Sequence, residues 1–356
     1  MMNAFHLSAC PPWRRLALLI GALVFFSTTA QAEPIRGAGS TFAAPILHLW
    51  SRDYEAIRTD GGDFTSPDWR VDYEPVGSLA GVMRLEQPET DFAATDAPLP
   101  AEELKKHGFA QFPIVMGGIV VVANLDNVGA GALRLSGPVI ADIYLGKVTK
   151  WSDPAIKALN PDLALPDATI AVLNREDGSG STLTFTGFLA KASPEWAEKV
   201  GAHTLIKWPL GTSEKGTSAL ASLAAATKNS IAYLEYGQVV RLGLPYATLQ
   251  NAAGAFIQPS PESFTAGLEA LAWDPATGAA STAVAGEKAY PMAVVTYAVV
   301  PKSRGEGRVN RVLDLFRVAF SRGGEAASAL GYIPVPPALA GKIEAYWTAN
   351  LGFANN

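Results

Sequence analysis

Three times along this chain a short extended run enters a turn rich in glycine and hydroxyl side chains and passes directly into a helical pattern, at residues 37–42, 77–81 and 174–182. Strands that alternate with helices through short turns are the pattern of an α/β architecture. Residues 114–122 form a nearly continuous apolar run with two glycines, which suits a buried strand leading from one lobe to the next. Residues 169–173 read as a second such strand, and residues 291–300 as a third, late enough to carry the chain back. Ile46, Leu49, Trp50, Tyr54 and Ile57 fall on one face of a helix that begins near Thr41. Val312, Leu313, Leu315, Phe316, Val318 and Phe320 are too densely apolar for a single face, so that helix should be well buried. Residues 265–287, rich in Ala, Gly and Thr, read as helix and loop. No internal repeat of fixed length is present.

The first 32 residues have the layout of a secretory leader. Arg14 and Arg15 precede an apolar run at 16–26, and Ala30-Gln31-Ala32 supplies small residues for cleavage after Ala32. That run is too short to span a bilayer, and no later stretch is long and apolar enough to do so. The single cysteine, Cys10, falls inside the leader, so the mature chain has no thiol chemistry and must rely on an ordinary core, built as two lobes. The chain carries 28 basic and 33 acidic residues. Two of the basic residues and none of the acidic ones precede Glu33, which leaves the mature protein 26 against 33, or −7. Such a chain has no broad attraction for nucleic acid or anionic lipid. If it binds an anion, local geometry must do the work.

The turns offer that geometry. Gly37-Ala38-Gly39-Ser40-Thr41-Phe42 brings a flexible backbone to a helix start, where the first N–H groups lack intrahelical acceptors. Thr41 as a plain N-cap explains the same residues. The turn also half matches a dinucleotide fingerprint, but Phe42 occupies the place of the last glycine. Gly77-Ser78-Leu79-Ala80-Gly81 again sets a hydroxyl where a strand becomes a helix, with N-capping by Ser78 as the simpler account. The third turn, Asn174-Arg175-Glu176-Asp177-Gly178-Ser179-Gly180-Ser181-Thr182, is the most heavily loaded. Arg175 can make a forked contact to an oxyanion, and Ser179, Gly180 and Ser181 can add amides and hydroxyls in a nest. Asp96 looks misplaced beside an anion, yet an ionised aspartate can accept a hydrogen bond from an oxyanion that still carries a proton. An Asx turn before Pro98 is the commoner role for Asp-Ala-Pro.

At these residues, and in further segments, the chain closely resembles the periplasmic phosphate-binding proteins of bacterial high-affinity ABC phosphate importers. Matching segments include residues 91–99, Phe112-Pro113 with Gly117-Gly118, Asp142-Ile143-Tyr144-Leu145-Gly146-Lys147, Trp151-Ser152-Asp153, Lys207-Trp208-Pro209 and Tyr233-Leu234-Glu235-Tyr236. The resemblance runs over nearly the whole mature chain. It implies a two-lobed, type II periplasmic binding protein fold that closes over a dehydrated phosphate. The implied ligands are Thr41, Phe42, Ser78, Asp96, Arg175, Ser179, Gly180 and Ser181, with Phe42 and Gly180 acting through their amides. Asp177 is implied to hold Arg175, although a helix-start aspartate would serve as well there. Lobe I would combine residues 33–121 with 298–356, and lobe II would be 122–297.

The resemblance further implies a monomer that delivers phosphate to a permease complex of two transmembrane subunits and two ATPases, one binding protein to each. No cofactor, metal or nucleic acid enters. Phosphate carries a proton near neutral pH and sulfate does not, so Asp96 would separate the two. Leu79 and Ala80 replace the small residues usual in that turn, Ser181 stands in place of threonine, and Ala43 replaces a frequent proline.

An enzyme finds little support. His6, His48, His107 and His203 are scattered without metal-ligand spacing, Gly-x-Ser-x-Gly is absent, and residues 211–218 only faintly suggest a P-loop, with Thr217 where the lysine belongs. That segment reads as a solvated loop.

Overall fold

The computed structural model describes residues 33–59, 70–268, 273–276, 278–280 and 286–353. The leader expected at 1–32 and part of the 265–287 segment lie outside them. Among the described residues the main sheet has nine strands. Across it the order is Val71–Glu74, Ile35–Gly39, Phe92–Thr95, Ala293–Pro301, Phe109–Asn124, Ser230–Glu235, Ala171–Arg175 and Thr212–Glu214, with Ile333–Pro334 pairing separately with Phe109–Asn124. The first three strands are parallel to one another. The return strand Ala293–Pro301 is antiparallel to both of its neighbours, and the last three strands are parallel again.

The long strand Phe109–Asn124 connects the two halves. It pairs with the return strand as far as Gly118 and with Ser230–Glu235 from Ile119 onward. A strand covered on both faces has no reason to alternate, and every residue from Phe109 to Ala123 is buried. The apolar run at 114–122 is the centre of this longer element. Two glycines stand where the pairing changes. A Cβ on Gly117 would lie 2.8 Å from the tip of the Phe42 ring, and one on Gly118 would lie 2.1 Å from the ring of Phe264. Both aromatic rings therefore pack directly on the backbone at the crossing.

Each half has its own aromatic core. On one side Phe316 meets Phe92 and Phe112 edge-on at 5.4 and 5.6 Å, and Phe112 meets Trp347 at 4.9 Å. On the other, Phe185 stacks on Tyr233 at 4.3 Å and meets Tyr144 at 4.9 Å. The helix Ala44–Thr59 docks by the face expected of it, with Ile46, Trp50 and Tyr54 buried. It starts at Ala44 rather than near Thr41 because residues 41–43 form a turn. In the helix Glu306–Arg322, Val312, Leu313, Leu315 and Phe316 are buried while Val318 and Phe320 are partly so. Among the described residues, no helix is long and apolar enough to cross a membrane.

Candidate functional site

The first turn reaches the cleft between the halves at Ser40. Its glycines answer to the neighbouring strand. A Cβ on Gly37 would lie 2.2 Å from the Phe92 ring, and one on Gly39, at φ +135°, would lie 2.1 Å from the Ala94 carbonyl oxygen. Ser40, not Thr41, supplies the local cap, accepting from the Ala43 amide at 3.2 Å. Tyr73 donates its hydroxyl to the Ser40 carbonyl at 2.8 Å and fixes the turn from below.

Asp96 sits at the end of Phe92–Thr95, buried, with its carboxylate facing three hydroxyls. Ser40 Oγ lies 2.8 and 2.9 Å from its two oxygens, Thr296 Oγ1 donates to Oδ1 at 2.7 Å, and Ser78 Oγ approaches Oδ2 at 3.4 Å. The Asx-turn role is thus taken by Thr95 instead, which accepts from the Ala97 amide at 3.1 Å. Burial pushes the Asp96 carboxyl above its ordinary range, against the pull of Thr296, Ser40, the Arg175 guanidinium and Ser78. An ionised carboxylate has about four lone-pair positions. Three hydroxyl donors therefore leave room for one more from the cleft.

Ser78 is the second residue brought to this point. The N-cap of its helix, Ser78–Arg84, is Gly77, without a side-chain cap, so the Ser78 hydroxyl is available for other partners. It accepts from the Asp96 amide and the Gly180 amide, both at 3.2 Å. Gly180 begins the helix Gly180–Ala192, and Ser179 caps that helix by accepting from the Thr182 amide at 3.3 Å. Ser179 and Ser181 are buried on the same first turn. The departure Leu79 lies at the lip, where its amide donates to the Gly178 carbonyl at 3.1 Å.

Arg175 ends the strand Ala171–Arg175 and is fully enclosed. Its Nε donates to Asp177 Oδ1 at 2.6 Å and its Nη2 to Asp177 Oδ2. Asp177 is thereby the partner of Arg175 rather than a helix-start charge. Burial alone would raise the Asp177 carboxyl, but the Arg175 guanidinium and the Gly216 amide hold it below the ordinary carboxylate range. Arg175 Nη1 donates to Thr217 Oγ1 at 3.1 Å. A guanidinium has five N–H donors. Asp177 takes two and Thr217 one, which leaves one on Nη1 and one on Nη2 as a fork for an oxyanion. Trp208 and Tyr233 hold the Arg175 backbone, at 2.7 Å to its carbonyl and 3.2 Å from its amide respectively.

Charge does not favour an anion here, since Arg175 is offset by Asp177 and Asp96 is negative. Attraction must come from oriented N–H and O–H dipoles at the helix starts. Of the residues expected from the sequence, Ser78, Asp96 and Gly180 are in direct contact, and Arg175 is linked through Thr217 to Thr41. The Phe42 carbonyl accepts from Tyr332 at 2.6 Å. Three contributors escaped sequence reasoning. Ser40 lay unremarked within its turn, Thr296 comes from the return strand 200 positions after Asp96, and Thr217 was assigned to a solvated loop. The signal for Thr217 was available: it repeats the glycine–hydroxyl–helix pattern, following Gly216 and opening the helix Thr217–Ala226.

Residues 27–316 match a family model described as the PBP superfamily domain. A phosphate-binding protein PstS of Xylella fastidiosa is 40% identical over 322 residues, spanning 90% of this chain and 86% of its own length. The protein of the same name from Pasteurella multocida is 40% identical over 337 residues, spanning 94% and 95%. A putative phosphate ABC transporter substrate-binding protein from Clostridium perfringens, solved with bound phosphate, shares 20% identity at a TM-score of 0.60, covering 85% of this chain and 100% of that one. A phosphate-binding protein from Stenotrophomonas maltophilia shares 19% identity at a TM-score of 0.62, covering 88% and 94%.

Proposed function

Because the chain belongs to the PBP superfamily, with the two-lobed α/β fold of a type II periplasmic binding protein, we propose that it captures inorganic phosphate in its cleft and hands it to an ABC-type permease. The observation that carries this reading is the pairing of a buried acceptor with buried donors. Asp96, saturated by hydroxyls except for one position, faces the half of the cleft that holds the remaining Arg175 fork. A monohydrogen phosphate meets both demands, giving its proton to Asp96 and taking N–H donors on its other oxygens.

The ligands in this reading are Thr41, Phe42, Ser78, Asp96, Arg175, Ser179, Gly180 and Ser181, with Asp177 holding Arg175. Ser78 and Gly180 now bond each other at 3.2 Å, and a charged acceptor draws shorter bonds than that. The lobes would meet at the change of pairing between Gly118 and Ile119 and just before Ala293 on the way back. Those crossings precede the ones expected at 121/122 and 297/298. The protein acts without catalysis, as an exported monomer with its leader removed after Ala32. It serves one permease complex of two transmembrane subunits and two ATPases.

Calorimetric titration with phosphate and sulfate tests the reading. Phosphate should bind and sulfate should not, and Asp96→Asn should narrow that difference by removing the charge that repels sulfate. Equal binding of the two anions by the unmodified protein would overturn the assignment.

A further inference from the structure

Thr217 opens the helix Thr217–Ala226 and is only 3% exposed, so it is not part of a solvated loop. Its Oγ1 has two partners, Arg175 Nη1 at 3.1 Å and Thr41 Oγ1 at 2.7 Å. Arg175 and Thr217 belong to the half of the sheet built on Ser230–Glu235, and Thr41 follows the strand Ile35–Gly39 in the other half. One hydroxyl therefore bridges the cleft beside the remaining fork of Arg175.

The direction of these bonds follows from proton counting. A guanidinium only donates, so Thr217 Oγ1 accepts from Arg175. Between the two threonines a single proton lies on the short line of 2.7 Å. If Thr41 gives that proton, its hydroxyl can turn only lone pairs toward an anion, which repels it. If Thr217 gives it, the proton of Thr41 remains for the cleft. Arg175 favours the second arrangement, because a cationic donor polarises the hydroxyl it touches into a better donor.

We propose that Thr217 is a positioning residue for the anion site. It orders a donor chain from Arg175 through Thr217 to Thr41 that forms when the halves meet and aims the Thr41 proton at the bound anion. It also braces Arg175 on the side away from Asp177, so that the guanidinium is held from two directions. Gly216, just before it, adds to the same brace: its amide donates to Asp177 Oδ1 at 3.0 Å, and its φ of +82° turns the chain so that amide and hydroxyl both reach the pair. The proposal rests on Thr41 and Arg175 contacting the anion, as in the function proposed above.

The experiment compares Thr217→Val, which keeps the shape and removes the hydroxyl, with Thr217→Ser, which keeps the hydroxyl. Phosphate affinity is read by calorimetry and the dissociation rate by stopped flow, with Thr217→Ala in place of the valine variant should that not fold. Loss of one hydrogen bond to a charged group corresponds to about tenfold to a hundredfold in affinity. Valine should lose that much, mainly through faster dissociation, while serine should stay within about threefold of the unmodified protein on the same reasoning. Combining Thr217→Val with Thr41→Val should cost far less than the product of the two single losses, because both interrupt one chain. Failure of the unmodified protein to bind phosphate would refute the proposed function. Phosphate binding that is insensitive to valine, or lost equally with valine and serine, would refute the role of Thr217 alone.

Discussion

Arg175 must satisfy three demands at once. It donates to Asp177 through Nε and Nη2, to Thr217 through Nη1, and retains one donor on each terminal nitrogen. Only a planar fork has donors at the separate positions this requires. Lysine would keep the charge, but its donors leave from one point on a flexible stem. Arg175→Lys should therefore weaken phosphate binding by at least about tenfold, nearly as severely as Arg175→Ala, because geometry rather than charge is what the site lacks. Calorimetric titration of both variants decides the matter, and lysine binding close to the unmodified affinity would mean that a point charge suffices. Leaving Asp177 buried beside a misplaced cation should also lower the unfolding midpoint of the lysine variant.

The helix Gly180–Ala192 carries the demand for closure at the scale of an element. Its first residue comes so near the opposite half that a Cβ there would lie 2.4 Å from Asp96 Cβ and 2.8 Å from both Asp96 Oδ2 and Ser78 Oγ. The first of these atoms is anchored to the backbone and cannot swing aside. Alanine costs less backbone entropy than glycine, by up to about 1 kcal/mol inside a helix and less at its first residue. Gly180→Ala should thus fold at least as stably as the unmodified chain and yet bind phosphate at least about tenfold more weakly, since its halves cannot meet. Solution scattering with saturating phosphate should find it more extended than the unmodified protein, and unchanged compaction with unchanged affinity would dismiss the steric argument. The loaded turn at 174–182 was legible in the sequence because strand, glycines, hydroxyls and arginine are contiguous there. The approach of Gly180 to Asp96 was not, nor was Thr296 on Asp96, because each joins segments brought together only by the return strand. Glycine itself was ambiguous. Gly37 and Gly39 are demanded by Phe92 and Ala94 in the adjacent strand, Gly180 by the opposite half, and composition alone treats all of them alike.

At the scale of the whole molecule, the crossing between the halves holds a carboxyl that the anion site does not use. Glu235 ends the strand Ser230–Glu235 opposite Ile119, where the long strand changes partner. It is 2% exposed, and only weak contacts from the Tyr332 hydroxyl and the Gln238 amide, short of good hydrogen-bond geometry, reach its carboxyl oxygens. Arg241 Nη2 stands 3.8 Å away, and the neighbouring Tyr332 hydroxyl gives its proton to the Phe42 carbonyl. Burial pushes the Glu235 carboxyl up to about 8, with Arg241, the Tyr332 hydroxyl and the Gln238 amide working against the rise and Asp96 adding to it. The folded protein then keeps a proton that the unfolded chain releases near its ordinary value of 4.5. Stability from this group is complete below that value and is lost as pH rises through about 8, at a slope of up to about 1.4 kcal/mol per pH unit. Glu235→Gln cannot ionise and should escape the loss. Urea unfolding of both proteins at mildly acidic, neutral and mildly alkaline pH should show the glutamine variant gaining on the unmodified one across that window, with the gap levelling off above it. A gap that stays constant would mean that Arg241 already holds a charged Glu235 at every pH, and that the crossing carries a buried ion pair instead of a neutral acid.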